Sequence, residues 1–361
     1  MSRVHRLFLS SALGLLVLTI LYILIVVLSD TGRFQDPALE AAVQEALELE
    51  GRHVSRSDLQ RVTELDASGR GIEHIEGIRS MPNLVSLDLS GNRVTDLSPL
   101  GKLSSLNSLD LSNNNILDLE EVNLDALSDL PELRELNLAN NRGPSHPESP
   151  GEHRRISDIS VLSAFTELEL LDLSYNHIED LQALSPLTRL RRLDLRENLL
   201  TGNALKPLEG LARLEYLNLR HNQLRRIDSL SEFSLLRYLN LHSNENIESI
   251  LPLAGLTSLE TLILRRVPVG DEIQVLAELT NLRRLNIRET GVRNLEVLAS
   301  LMKQGALQDD PQNNVFAEVD IRENPVSETQ DGGGYEVLHE YWENIAQPRP
   351  QELPEPQELS E

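Results

Sequence analysis

Leucines recur along most of this chain in a phrase that suits neither one strand nor one helix. In "SLDLSGNRVTDLSPL", residues 86–100, they fall at Leu87, Leu89, Leu97 and Leu100, with Asn92 closing the first half. Alternation with period two covers only Ser86 to Ser90, and the spacing beyond Asn92 is too irregular for 3.6 residues per turn. The phrase returns as "LLDLSYNHIEDLQAL" and "YLNLRHNQLRRIDSL". Indexed on the first apolar residue of L-x-x-L-x-L-x-x-N, copies begin at Val62, Leu84, Leu106, Leu133, Leu168, Leu190, Leu214, Leu236, Leu259 and Leu282, with a degenerate unit at Phe316. Leu84 to Leu106 and Leu168 to Leu190 both advance by 22 residues. A fixed period of that length means stacked units sharing one continuous core.

Each unit predicts a short strand such as Ser86–Ser90, with leucines turned inward and Ser86, Asp88 and Ser90 outward. The strands should form a parallel concave sheet, and the return through Val94, Leu97, Leu100 and Leu103 should be short turns or brief helices on the convex side. Asn92, Asn114, Asn141, Asn176, Asn198, Asn222, Asn244 and Asn324 end the strands, where a side-chain amide can satisfy buried backbone groups. Their predicted role is structural. Arg70, Val267 and Thr290 interrupt that column, and "RRVPVGDE" predicts a weaker corner because Pro268 also removes a donor.

These units resemble the 22-residue repeats of bacterial internalin-like leucine-rich repeat proteins, from about residue 34 to 327 and including "FQDPALEAAV" and "LDASGRGIEHIEGI". The resemblance implies an α/β fold: a leucine-rich repeat right-handed solenoid with a parallel concave sheet and helical end caps. It says little about function. Wall-attached internalins differ from this chain, which has an N-terminal apolar segment and no evident C-terminal sorting motif, so host-cell adhesion is not carried over.

Residues 7–28, "LFLSSALGLLVLTILYILIVVL", contain no charge, enough to cross a hydrocarbon core as one N-terminal transmembrane helix. Arg3, His5 and Arg6 precede it, whereas Asp30, Asp36, Glu40 and Glu45 follow with only Arg33. The positive-inside rule then puts residues 1–6 in the cytoplasm and the repeats outside, which is the periplasm if the cell is Gram-negative. A cleaved signal peptide is the alternative, with Val27 and Ser29 as its small-residue positions. Residues 34–61 predict an N-terminal helical cap, with Asp36 as N-cap, Pro37 at the first helical position and Leu39, Val43, Ala46 and Leu47 as its apolar stripe. The repeats occupy 62–327. Tyr335, Leu338, Trp342 and Ile345 share one face of a predicted C-terminal cap helix within 328–346, and 347–361 reads as an acidic, Pro-rich disordered tail. Three insertions lengthen the unit: "EEVNLDAL", "KQGALQDDPQNN" and "RGPSHPESPGEHRR". The last, residues 142–155, predicts an exposed loop at the edge of the concave face.

Acidic residues outnumber Lys plus Arg by 57 to 33, a formal charge of −24, which argues against nucleic acid as a partner. Without cysteine the chain has no disulfide, thiolate nucleophile or zinc–sulfur site. No Walker loop, H-E-x-x-H or G-x-S-x-G occurs, and Gly332, Gly333 and Gly334 lack a strand-to-helix context, so no catalytic or cofactor-binding residues are assigned. His146, Glu148, Glu152 and His153 crowd the long insertion, and Glu197, His221 and His242 approach across adjacent repeats; neither set defines a metal geometry.

The outward positions say more. Their middle column is Asp66, Asp88, Asp110, Asn137, Asp172, Asp194, Asn218, Asn240, Ile263, Asn286 and Asp320. The next column changes from Ser68, Ser90, Ser112, Ala139 and Ser174 to Arg196, Arg220, His242, Arg265, Arg288 and Arg322. Around Arg220, Arg265 and Arg288 the middle column offers less negative charge, which predicts room for an acidic partner. The first column supplies Leu170, Arg192, Tyr216, Tyr238, Thr261 and Arg284, and tyrosine beside arginine is the pairing enriched at binding hot spots. Expected partner-binding residues are therefore Leu170, Arg192, Arg196, Tyr216, Arg220, Tyr238, His242, Arg265, Arg284 and Arg288. The expected function is a membrane-anchored extracytoplasmic scaffold for an acidic protein or peptide, not an enzyme. The alternative partner is an anionic cell-envelope glycan.

Overall fold

A parallel strand that repeats at one register position in each unit organises the chain. The computed structural model describes residues 34–49, 51–114, 116, 127, 130–146, 149–308 and 317–325. The predicted segments 1–6, 7–28, 328–346 and 347–361 lie outside the described residues, as does the degenerate repeat start at Phe316. Among the described residues no helix is long and apolar enough to cross a membrane. The chain divides into two units, Met1–Asn115 with Val122–Leu133, and Ile116–Glu121 with Arg134–Glu361.

In the first unit, helix α1 (Pro37–Ala46) starts where expected, with the Asp36 carboxylate accepting the Ala38 N–H at 2.9 Å. The same carboxylate accepts the N–H groups of Glu73 and His74, tying the cap to the first repeat. Burial of Asp36 raises its pKa, but these backbone donors outweigh that and hold it below the usual value. The buried stripe is Leu39, Ala42 and Val43; Ala46 is exposed and Leu47 half-buried, because the helix ends there. Helix α2 (Arg56–Leu59) carries a capping box between Ser55 and Asp58. Strands β1 (Glu64–Asp66), β2 (Ser86–Asp88) and β3 (Ser108–Asp110) then pair in parallel, Leu65 beside Leu87 and Leu87 beside Leu109.

The second unit begins with β4 (Glu135–Asn137), followed by β5 (Arg142–His146) and β6 (Ser149–Arg155). Residues 142–155 are thus not the expected loop: β5 and β6 form an antiparallel hairpin, Arg142 opposite Arg155 and His146 opposite Ser149. The two ends of the insertion meet at one repeat corner, and pairing across it satisfies backbone groups that Pro and Gly content alone did not anticipate. Beyond it come β7 (Leu170–Asp172), β8 (Arg192–Asp194), the two-residue β9 (Thr201–Gly202), β10 (Tyr216–Asn218), the two-residue β11 (Gln223–Leu224), β12 (Tyr238–Asn240), β13 (Thr261–Ile263) and β14 (Arg284–Asn286). Helix α3 (Glu296–Lys303) and β15 (Glu318–Asp320) close the unit. Strands β4, β7, β8, β10, β12, β13, β14 and β15 pair in parallel without a register slip, while β9 and β11 pair separately. Most returns are short 3-10 turns such as Lys206–Leu208 and Leu251–Leu253, each with proline near its start.

Leu171, Leu193, Leu217, Leu239, Leu262 and Leu285 stack inside, all essentially sealed from solvent. Three columns close the corners. The asparagines form the predicted ladder: Asn222 Nδ2 donates to the carbonyls of Leu195 and Leu219, and its Oδ1 accepts the Leu200 N–H. Asn92, Asn198, Asn244 and Asn324 repeat this pattern. At the gaps, Thr290 Oγ1 donates to the Ile287 carbonyl, and Val267 fills its corner as a fully buried apolar residue.

The second column is the acidic and amide one. Asp88, Asp110, Asp172, Asp194, Asn218, Asn240 and Asn286 each accept the backbone N–H two residues on, forming a turn at the strand end. The third column went unread in the sequence. Gly69, Gly91, Asn113, Asn140, Tyr175, Glu197, His221, Ser243, Arg266, Glu289 and Glu323 all have positive φ, from 51° to 66°. Each immediately precedes the corner position, and the left-handed turn aims its N–H at the next repeat, as from Tyr175 to the Arg196 carbonyl at 2.9 Å.

Candidate interaction surface

Parallel in-register pairing decides which outward side chains meet. Leu170, Arg192, Tyr216, Tyr238, Thr261 and Arg284 are successive partners on β7, β8, β10, β12, β13 and β14. Neighbouring strands lie about 4.8 Å apart, so flat side chains in this row can stack. The rings of Tyr216 and Tyr238 do so, with centroids 4.2 Å apart and planes inclined by 8°. The Arg192 guanidinium covers the other face of Tyr216 at 3.7 Å from its centroid. Both tyrosines are half-buried, and burial pushes their hydroxyls above the ordinary value. Arg192 is exposed, and its guanidinium has no carboxylate partner among the described residues; Arg284 is held by Glu318 at 2.5 Å.

Four positions further along each strand lies the second row. Arg196 sits 3.7 Å from Asp194 and over the Tyr175 ring, and Arg220 is half-buried beside it. The expected shortage of negative charge at Arg265 and Arg288 is not found: Glu289 stands 3.7 Å from Arg265, and Glu323 pairs with Arg288. Both glutamates come from the left-handed corner column, which composition of the middle column did not reveal. His242 also departs from expectation as a contact residue. It is only 8% exposed and lies 5.1 Å from the His221 ring. Burial, reinforced by Arg220, His221, Arg265 and Arg266, holds its pKa at about 3, so it is a neutral packing residue at physiological pH.

The floor between the rows is sealed by these overhanging side chains: Asp194, Asn218 and Asn240 are 2%, 3% and 6% exposed. Asp194 accepts the Arg196 N–H at 3.0 Å and an amide N–H of Asn218 at 3.1 Å. Burial, then the neighbouring Asp172 charge, pushes its pKa up to about 7.

Glu197 and His221 do approach, at 3.9 Å, yet no group of three or more His, Asp or Glu side chains among the described residues is arranged to hold a metal ion. The side chains of His146, Glu148, Glu152 and His153 lie outside the described residues. One further column was missed although its signal was present. Arg134, Glu169, Arg191, Glu215, Arg237, Glu260 and Arg283 immediately precede the outward rows and alternate in charge without exception. Arg134 pairs with Glu169, Arg191 with Glu215 and Arg237 with Glu260, and backbone bonds join each repeat to the next at these residues.

Models of the leucine-rich repeat match residues 82–124, as two repeat copies, and 188–245. Among solved structures, an internalin (InlF) of Listeria monocytogenes is 28% identical, with 82% of this chain and 85% of that one covered and a TM-score of 0.67. Internalin C2 of the same organism is 30% identical over 64% of this chain and 95% of its own, with a TM-score of 0.55. No curated protein matches the sequence.

Proposed function

Because this chain belongs to the internalin-like class of bacterial leucine-rich repeat proteins, we propose that it is a binding scaffold, with the Arg192–Tyr216–Tyr238 row as the centre of its docking surface. The observation that carries this reading is the stack itself. A guanidinium laid on an aromatic ring keeps its N–H edge for a ligand, and Arg192 has no carboxylate of its own among the described residues. The partner is a protein or peptide that sets a carboxylate against Arg192 and an apolar group against the tyrosine edges. Leu170 flanks Arg192 on the side away from the tyrosines; Arg196, Arg265, Arg284 and Arg288 add donors already shared with the chain's own carboxylates, and Arg220 lies half-buried among them. Affinity falls as salt rises, because much of the attraction is exposed to screening.

An anionic glycan suits this surface less well. Sugars stack on ring faces, and here Tyr216 is covered by Arg192 on one side and Tyr238 on the other. The uncharged stretch 7–28 supports placing the scaffold on a membrane as a single-pass anchor, with the N-terminus cytoplasmic and the repeats extracytoplasmic.

Crosslinking of the full chain in its native membrane, with identification of the captured molecule, tests the proposal. Arg192→Glu and Tyr216→Ala should each lower capture at least about tenfold while leaving thermal unfolding cooperative, as expected of central anchors. Capture unchanged by both substitutions would refute the docking surface.

A further inference from the structure

The row that immediately precedes the strands alternates in charge, and a strip of that kind is complementary to a reversed copy of itself. From Arg134 to Arg283 it follows in-register strands that all belong to the second unit. Each arginine pairs with the glutamate after it: Arg134 with Glu169 at 3.7 Å, Arg191 with Glu215 at 2.7 Å, and Arg237 with Glu260. Arg283 ends the row with no carboxylate among the described residues, its guanidinium reaching only the Gln308 carbonyl at 3.4 Å. The two tighter pairs also leave bonding capacity facing outward. In each, the arginine Nε and Nη2 donate to a single oxygen, Oε1 of Glu215 and Oε1 of Glu260. The second carboxylate oxygen and the arginine Nη1 have no hydrogen bond among the described residues, and these four side chains are 35% to 59% exposed.

We propose that a second copy of this chain docks on this flank about a twofold axis between Glu215 and Arg237, forming a reversible dimer. The axis reverses the row, and identical strips keep the same spacing at every step. Glu215 meets the partner's Arg237, Arg191 meets the partner's Glu260 and Glu169 meets the partner's Arg283, each contact being made twice. The last gives Arg283 the carboxylate it lacks within its own chain. The neighbouring column, two residues earlier in each repeat, then sets Arg189 against the partner's Ser258 and Arg213 against the partner's Leu235. Leu235 is 50% exposed, and the aliphatic stem of an arginine can cover it. Moving the axis by one interval, to between Arg191 and Glu215, would instead oppose Arg189 and the partner's Arg213. A cavity of about 470 Å³ opens beside Leu235 and runs from Arg191 to Glu260, so its middle coincides with the proposed axis. Overall charge points to the same flank: at −24 two chains repel each other, and they approach most readily where positive and negative side chains balance. The row spans six strand intervals, about 29 Å, which places the contact among small, reversible interfaces. It uses none of the residues of the docking surface and does not rest on that reading.

Sedimentation of the full chain in detergent, from about 1 to 100 µM, tests the dimer. The natural chain should pass from one-chain to two-chain mass over that range, and added salt should move the change to higher concentration. Glu215→Arg and Arg237→Glu each set like charges across the axis twice, and each should weaken association at least about tenfold. Both side chains reach solvent, so each variant should keep the cooperative thermal unfolding of the natural chain. An equimolar mixture of the two variants restores opposite charge at both central contacts and should associate within about threefold of the natural chain. One-chain mass for the natural chain at every concentration would overturn the proposal. So would variants that associate as tightly as the natural chain, as expected if the apolar N-terminal segment drives association, or a mixture no tighter than either variant alone.

Discussion

Asn222 shows what a single side chain does at a repeat corner. Its amide bonds four backbone groups, and the three at Leu195, Leu200 and Leu219, from different strands and turns, are buried. Substituting Asn222→Ala strands those groups, each at about 1–3 kcal/mol, so a loss of about 3 kcal/mol is expected in urea denaturation. The same change at Asn176, whose Oδ1 has no hydrogen-bond partner among the described residues, should cost about 1 kcal/mol less. The asparagine column was legible because one residue type recurs at one position. The column before it was not, since Tyr175, Glu197, His221, Ser243 and Arg266 share no chemistry and only a left-handed backbone. The Asp and Asn column was legible as a pattern, yet its first task is to terminate strands rather than to carry charge.

At the scale of the element, β8 combines stability and surface in one short strand. Its outward ends carry Arg192 and Asp194, and Asp194 is buried against Asp172 of β7. The folded chain holds the Asp194 proton to about pH 7, well above the usual carboxylate range, so the unfolded chain gives it up first. Stability from this residue is therefore greatest below about pH 4 and declines as pH rises towards 7. Asp194→Asn should flatten that decline: thermal melts at pH 5 and pH 8 should differ less in the variant than in the natural chain, and an unchanged difference would assign the slope elsewhere. The tyrosine pair on β10 and β12 was readable by indexing repeats, because parallel register places equal positions side by side. The neutrality of His242 and the pairing of Arg288 were not readable, because they depend on which neighbouring side chains fold over the strand.

At the scale of the molecule, leucine spacing alone was enough for the architecture within each unit: stacked parallel repeats, each of which completes its core only against its neighbours. Leu217→Ala, at a fully buried position of β10, should cost about 2–5 kcal/mol. The loss should be local in character. Amide exchange is expected to accelerate first in β8, β10 and β12, and uniform acceleration throughout the chain would contradict nearest-neighbour stacking. The hairpin at 142–155 lay beyond such reasoning, because an insertion has no repeat to be compared with.

The alternating flank from Arg134 to Arg283 also constrains how a chain like this can change length. Removing one repeat from that stretch would bring Arg191 beside Arg237, or Glu215 beside Glu260, and like charges directly opposite on paired strands are destabilising. Removing two restores Arg beside Glu. Duplication and loss along this flank are therefore favoured in even steps, a parity rule written in side chains that touch no ligand.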